Sequence, residues 1–274
     1  TLLNNPFLNF QNQLSSSVSY SKDWKGKYNL SVNLNHNQNN NLRLVNMNLP
    51  TVNFNVVTFY PFQPKEQVGA GKWYEKIGIG YSGNFQNQIS FYDTAFSVRR
   101  ILDTIQYGAQ HNIPITLSLP SLGPITIAPS ISYSERWYGQ RNFRSWNNTT
   151  NKVDTVIQRG FYTARQMSFG LAANTRIFGT YKFKPTSNVI AIRHEIRPTI
   201  SFNYQPDMNA RYYYNLKVDT SNRTIRVSQF DGGIIGAYGE GAFGGIGFGI
   251  DNLLEMKTKN KQDTADKAGK KIKL

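Results

Sequence analysis

The sequence contains no cysteine among its 274 residues. A disulfide framework, a thiol nucleophile and a thiolate metal site are therefore all excluded. It also has no run of about 18 apolar residues, which excludes a transmembrane helix. Acidic residues are scarce, with 16 Asp+Glu against 31 Lys+Arg and a formal net charge of +15. Hydrophobic residues make up 39 %, little for a compact core, whereas Asn, Ser, Gly and Tyr are plentiful. No secretory leader opens the chain, so one has been removed or the chain begins inside a larger protein. Only three histidines occur, His36, His111 and His194, far apart and without metal-ligand spacing. A satisfied or rim position suits them better than a metal site, and no cofactor is expected. The basic surplus is spread over loops and strand ends, dense only from Lys257 to Lys273. No basic stripe for nucleic acid results.

What the chain does have is period two. Successive strand side chains face opposite sides, so strict apolar/polar alternation marks a two-faced strand. Tyr28, Leu30, Val32 and Leu34 alternate with Asn29, Ser31, Asn33 and Asn35. Val45, Met47 and Leu49 change parity after Pro50 to Val52, Phe54 and Val56, as one inserted residue would do at a bulge. The pattern recurs around Leu14–Tyr20, Trp73–Phe85, Tyr107–Leu117, Ile125–Trp137, Phe161–Ile177, Ile190–Tyr204 and Phe243–Met256. It predicts nine strands, a short helix near Ala95–Leu102, and a polar loop over Gly139–Arg159. Many of these strands exceed the 5–6 residues usual in a soluble sandwich and reach the 9–11 needed to cross a bilayer. The fold class expected is all-β, an antiparallel transmembrane β-barrel. Its negative mean hydropathy fits, because a wet lumen face and an apolar lipid face cancel.

Connections after the first, fifth and seventh strands read as short, and those after the fourth, sixth and eighth as long. Short turns face the periplasm in such barrels. Trp24, Tyr28, Tyr60, Trp73 and Tyr181 then fall near one rim and are expected to form a periplasmic aromatic girdle. Nine strands cannot close a single-chain barrel of even strand number. Residues 1–257 are read as a barrel segment, and 258–274 as a basic periplasmic turn or tail. The natural barrel is expected to be larger.

Enzyme chemistry finds little support. Gly244-Gly245-Ile246-Gly247-Phe248-Gly249 matches a phosphate loop only superficially, since no Lys-Ser/Thr pair and no helix pattern follow. Glycine there suits curvature or close packing. Arg176, Arg193, Glu195 and Arg197 share the expected lumen face of two neighbouring strands. They compose either a basic wall for an anionic solute or lipid phosphate or a salt-bridge network. Lumen charges are normally paired, which favours the network.

Several segments resemble one family. They are Asn48-Leu49-Pro50-Thr51-Val52-Asn53-Phe54-Asn55 with Phe59-Tyr60-Pro61-Phe62, and Lys72-Trp73-Tyr74-Glu75-Lys76-Ile77-Gly78 with Tyr81-Ser82-Gly83. Gln110-His111-Asn112-Ile113-Pro114-Ile115 and Ser132-Tyr133-Ser134-Glu135-Arg136-Trp137-Tyr138 follow. Clearest are Arg193-His194-Glu195-Ile196-Arg197-Pro198-Thr199 with Tyr204-Gln205-Pro206-Asp207, and Asp251-Asn252-Leu253-Leu254-Glu255-Met256-Lys257. In order and spacing they resemble the lipopolysaccharide-assembly outer-membrane protein LptD family, in its Bacteroidetes-type branch. The resemblance implies a large barrel in the bacterial outer membrane that inserts lipopolysaccharide into the outer leaflet. It also implies an LptE-like lipoprotein plug in the lumen, a periplasmic lipopolysaccharide bridge that feeds the barrel, and insertion by the barrel-assembly machinery among membrane lipid. The family's periplasmic N-terminal domain and closing strands find no counterpart here, and the lack of cysteine departs from its disulfide-dependent members. A substrate-specific or porin-like channel and a structural barrel of a larger surface complex are the competing expectations.

Overall fold

A computed structural model describes residues 13–259, except 67, 68, 70 and 96, together with 270–273. Alternation in the sequence becomes one continuous antiparallel sheet. Its strands are β1 (Gln13–Trp24), β2 (Tyr28–Asn39), β3 (Leu44–Phe59), β4 (Ile77–Tyr92), β5 (Gln106–Leu117), β6 (Ile125–Asn147), β7 (Lys152–Thr175), β8 (Ile177–Lys182), β9 (Val189–Gln205), β12 (Phe243–Thr258) and β13 (Lys270–Lys273). Neighbours follow chain order from β1 to β7, then β9, β12 and β13, with β8 also pairing β9. Two short strands, β10 (Tyr213–Lys217) and β11 (Thr224–Ser228), form a separate hairpin. One short helix, α1 (Val98–Thr104), lies in the β4–β5 connection. Among the described residues the sheet is open, with β1 and β13 at its edges.

The sheet has two chemically distinct faces, and the register carries each face across the strands. Ile246 pairs with Phe202, Phe248 with Ile200 and Ile250 with Pro198 on one side. Gly245–Asn203, Gly247–Ser201 and Asp251–Arg197 alternate with them on the other. The apolar face is bare: Ile246 is 76 % and Phe248 70 % exposed. The chain exposes 19157 Å², whereas a compact monomer of 31.2 kDa exposes roughly 12,000 Å². A soluble sandwich would cover such a face with a second layer, and none is present among the described residues. The polar face is knitted by side-chain amides. Asn53 donates to Ser31 at 3.3 Å, Asn84 to Asn53 at 2.6 Å, and Ser132 to Asn112 at 3.2 Å.

Four differences from the sequence reading have physical causes. Thirteen strands are present, not nine. The expected seventh strand breaks at Arg176 into β7 and β8, two lie in the loop after β9, and one in the basic tail. The Gly139–Arg159 loop is instead strand: β6 and β7 run 23 and 24 residues and turn within 148–151. Cross-strand pairing continues through this stretch although its apolar and polar residues do not alternate. Its turn is capped by Asn147, whose Oδ1 accepts from the Thr149 and Thr150 amides, with Asn151 at φ 51°. Trp73 sits in a 3₁₀ turn, Trp73–Lys76, ahead of β4 rather than in it. The helix lies near its expected place but runs to Thr104. The parity change at Pro50 is a true register shift between Asn48 and Thr51. Residues 1–12 and most of the tail beyond Lys259 lie outside the described residues.

Candidate functional site: the polar face and its inserted segment

Connections gather at two ends. The described residues of 25–27, 60–76, 118–124 and 183–188 lie at one end, hereafter the turn end; those of 40–43, 93–105, 148–151 and 206–242 lie at the loop end. At the turn end β8 and β9 bring together the charged cluster. Glu195 is 5 % exposed. Its Oε1 lies 2.9 Å from Arg176 Nε and 2.6 Å from Arg197 Nε, and its Oε2 lies 3.4 Å from Arg193 Nη2. Arg193 also sits over the Phe178 ring at 5.0 Å. Register explains the convergence: Arg193, Glu195 and Arg197 are alternate residues of β9, and Arg176 precedes β8, whose Phe178 pairs with Glu195. One carboxylate thus orders three guanidiniums, and on β12 Glu255 and Asp251 stand opposite Arg193 and Arg197 on the same face.

Of the aromatic residues expected at one rim, all five are exposed and lie at the turn end. Trp24 and Tyr28 pair across the β1–β2 hairpin, and Tyr28 stacks on Phe54 on the apolar face. Tyr181 pairs with Ile192 on that face. Trp73 packs edge-on against Tyr74. Tyr60 departs from the group: its ring lies 3.2 Å from where Gly78 would carry a Cβ, which puts it over the polar face. A register shift between Val56 and Phe59 turns it there. His111 Nδ1 lies 2.7 Å from the Tyr81 hydroxyl, and His194 Nε2 lies 3.3 Å from Asn252 Oδ1. Each ring thus has a polar neighbour within its own sheet face.

The loop end holds a feature the sequence did not announce. Residues 206–242 fold back onto the polar face of β5, β6 and β7 and build the main buried cluster, Tyr138, Ala164, Phe230, Ile235 and Tyr238. Phe230 stacks on Tyr138 at 3.9 Å with an interplanar angle of 8°. Arg136 donates to the Gly236 carbonyl at 2.7 Å and lies 4.0 Å over the Tyr238 ring. Tyr138 donates to the same carbonyl at 3.0 Å, and Asn142 to that of Asp231 at 2.9 Å. Ser134 and Tyr238 meet through their hydroxyls. Gly108 is required here, because a Cβ would lie 2.8 Å from Ile235 Cδ1 and 3.0 Å from the Trp137 carbonyl. Burial pushes the Tyr238 phenol up. At the segment's start the Asn209 amide, with those of Gly241 and Ala210, holds the Asp207 carboxyl below its usual range. The β10–β11 turn is tied by Asp219, which accepts from Ser221 and Arg223. The clue in the sequence was the apolar run Phe230, Ile234, Ile235 and Tyr238, which lacks period two and so reads as loop. α1 is fastened at the same end, where Arg159 Nη1 donates to the Leu102 carbonyl at 3.2 Å and Nη2 to that of Asp103.

This arrangement lines a surface with fixed amide, hydroxyl and guanidinium groups, and roofs one end of it. Among the described residues no three His, Asp or Glu side chains gather as metal ligands. A family model described as LptD protein matches residues 3–274. No curated protein and no solved structure matches the chain. The match spans nearly every residue, and the chain belongs to the LptD family.

Proposed function

We propose that this chain is part of the wall of an outer-membrane β-barrel that inserts lipopolysaccharide into the outer leaflet. Family membership assigns a role in lipopolysaccharide transport. The observation that carries the reading is the two-faced sheet, one face bare and apolar, the other polar and cross-linked. In lipid every backbone group must be paired and the outward face predominantly apolar, which a sheet achieves only when it is closed. The open edges at β1 and β13 are then completed by further strands. The turn end faces the periplasm and the loop end faces outward.

On this reading transport works by geometry and amphipathic lining, without covalent chemistry. The polar Asn, Ser and Gly face meets the sugar portion of the lipid and an LptE-like lipoprotein plug. The cluster at Glu195 stands at the periplasmic mouth, where lipid from the periplasmic bridge arrives. The barrel-assembly machinery inserts the chain. Depletion of the protein, followed by measurement of surface lipopolysaccharide, tests the proposal; the surface level is expected to fall, and an unchanged level refutes it. The inserted segment supports one competing reading, a substrate-specific channel, because a loop across the polar face is what narrows such pores. Steady conductance by plug-free protein in a planar bilayer would favour the channel.

A further inference from the structure

Besides the His194–Asn252 pair on β9 and β12, the apolar face carries a charged island on β5, β6 and β7. Register places His111 opposite Glu135 and Glu135 opposite Arg165, on the same side as Ile131, Tyr133, Phe169 and Leu171. Tyr133 donates its hydroxyl to Glu135 Oε2, and Trp137 Nε1 donates to Oε1 at 2.9 Å. Arg165 approaches Oε2 at 3.4 Å through Nε. Its two terminal amino groups have no protein partner among the described residues, and the side chain is 53 % exposed. Beside it, His111 Nε2 is buried without a partner.

The height of this island decides what it can meet. From Ile125 to Glu135 the strand advances about 33 Å at ~3.3 Å per residue. At a tilt of about 40° that crosses roughly 25 Å, the height of the apolar band of a membrane barrel. The island therefore sits at the outward boundary of the hydrocarbon, if the chain lies in the outer membrane as proposed above. Just beyond it, Tyr107, Trp137 and Phe161 are exposed and, with Phe85, Ala109 and His111, line a hollow of about 310 Å³. A guanidinium whose terminal N–H groups face lipid without acceptors is costly even when one side is ion-paired. A planar fork of free N–H groups at headgroup level is suited to phosphate.

We propose that this island is a binding site for the phosphorylated sugar headgroup of lipopolysaccharide in the outer leaflet. Arg165, held in place by Glu135, receives a headgroup phosphate through its terminal amino groups. The aromatic hollow beyond it receives the apolar face of a sugar ring. Acyl chains descend along Met167, Phe169 and Ile131 on the same face. The site lies on the opposite face from the polar lining and serves to seat delivered lipid against the barrel.

Native mass spectrometry of the full protein with its natural partners, in detergent, tests this with two probes, bisphosphorylated lipid A and its dephosphorylated form. Arg165→Ala is expected to weaken binding of the bisphosphorylated lipid about tenfold or more, the worth of one charge-assisted contact, and to leave the dephosphorylated lipid unchanged. Arg165→Lys keeps the charge and is expected to fold and to bind in between. Unchanged binding in Arg165→Ala, or an equal loss for both probes, overturns the proposal. Depletion tests transport separately, so either reading can fall while the other stands.

Discussion

Phe230→Ala should release the inserted segment from the sheet while leaving the sheet intact. Phe230 is 3 % exposed, stacked on Tyr138 at 3.9 Å and tilted against Tyr212 at 5.1 Å. Truncating a phenylalanine in such packing costs about 3–5 kcal/mol. At about 1.4 kcal/mol per tenfold, opening of residues 206–242 becomes at least about 100-fold more frequent. Hydrogen exchange reads this directly. The Gln229 amide donates to the Tyr212 carbonyl at 2.9 Å, and the Asn142 amide to that of Gln229 at 2.7 Å, so both should exchange faster by that factor. Amides of the β9–β12 ladder share no partner with Phe230 and should be unaffected. Ile225→Ala on the same segment is the control, since Ile225 is exposed; its effect should stay within about 0.5 kcal/mol. Faster exchange throughout the sheet would mean that the segment is part of one cooperative unit with it. No change at Gln229 would mean that the Phe230–Tyr138 stack does not hold the segment. Either result refutes the docking argument.

Phe248→Arg places a cation on the bare apolar face and should lower folding into bilayers, at a cost of up to about 2–4 kcal/mol at the bilayer midplane. Thr199→Arg, on the polar face, should fold normally, and equal behaviour of the two in a heat-modifiability assay would contradict the assignment of faces. Glu195→Gln removes the carboxylate that bridges Arg176, Arg193 and Arg197. The variant should melt lower in dilute buffer and recover with added sulfate, whereas a loss independent of salt would show that packing, not charge, matters there. Asp207 is held below its ordinary value of 3.8, first by the Asn209 amide. A depressed carboxyl contributes stability above its unfolded value and loses it as pH falls through the lowered one. Proteolysis of the inserted segment should therefore be flat from neutral pH to about 4 and rise in more acid solution, and Asp207→Asn should reduce that rise, leaving the part due to Asp219.

Much of the architecture was legible because a period of two states which side chains share a face. The alternation of β2, β5 and β9 needed no tertiary information, nor did the parity change at Pro50, since one extra residue must reverse a face. The grouping of Arg193, Glu195 and Arg197 followed from the same periodicity. The sequence alone therefore determined an all-β antiparallel sheet, its two faces and the family it belongs to. Tertiary structure decided the rest. Pairing across 22 residue positions, from Asn147↔Lys152 back to Ile125↔Thr175, made strand of a stretch whose polar residues read as loop. A loop without period two became the main buried cluster because Tyr138, Ala164 and Gly108 offered a complementary surface far away in sequence. Tyr60 crossed to the polar face through a register shift that only the partner strand defines. Glu135 and Arg165, 30 positions apart, became one island only when β6 and β7 aligned, because registry between strands is a property of the pair and not of either strand.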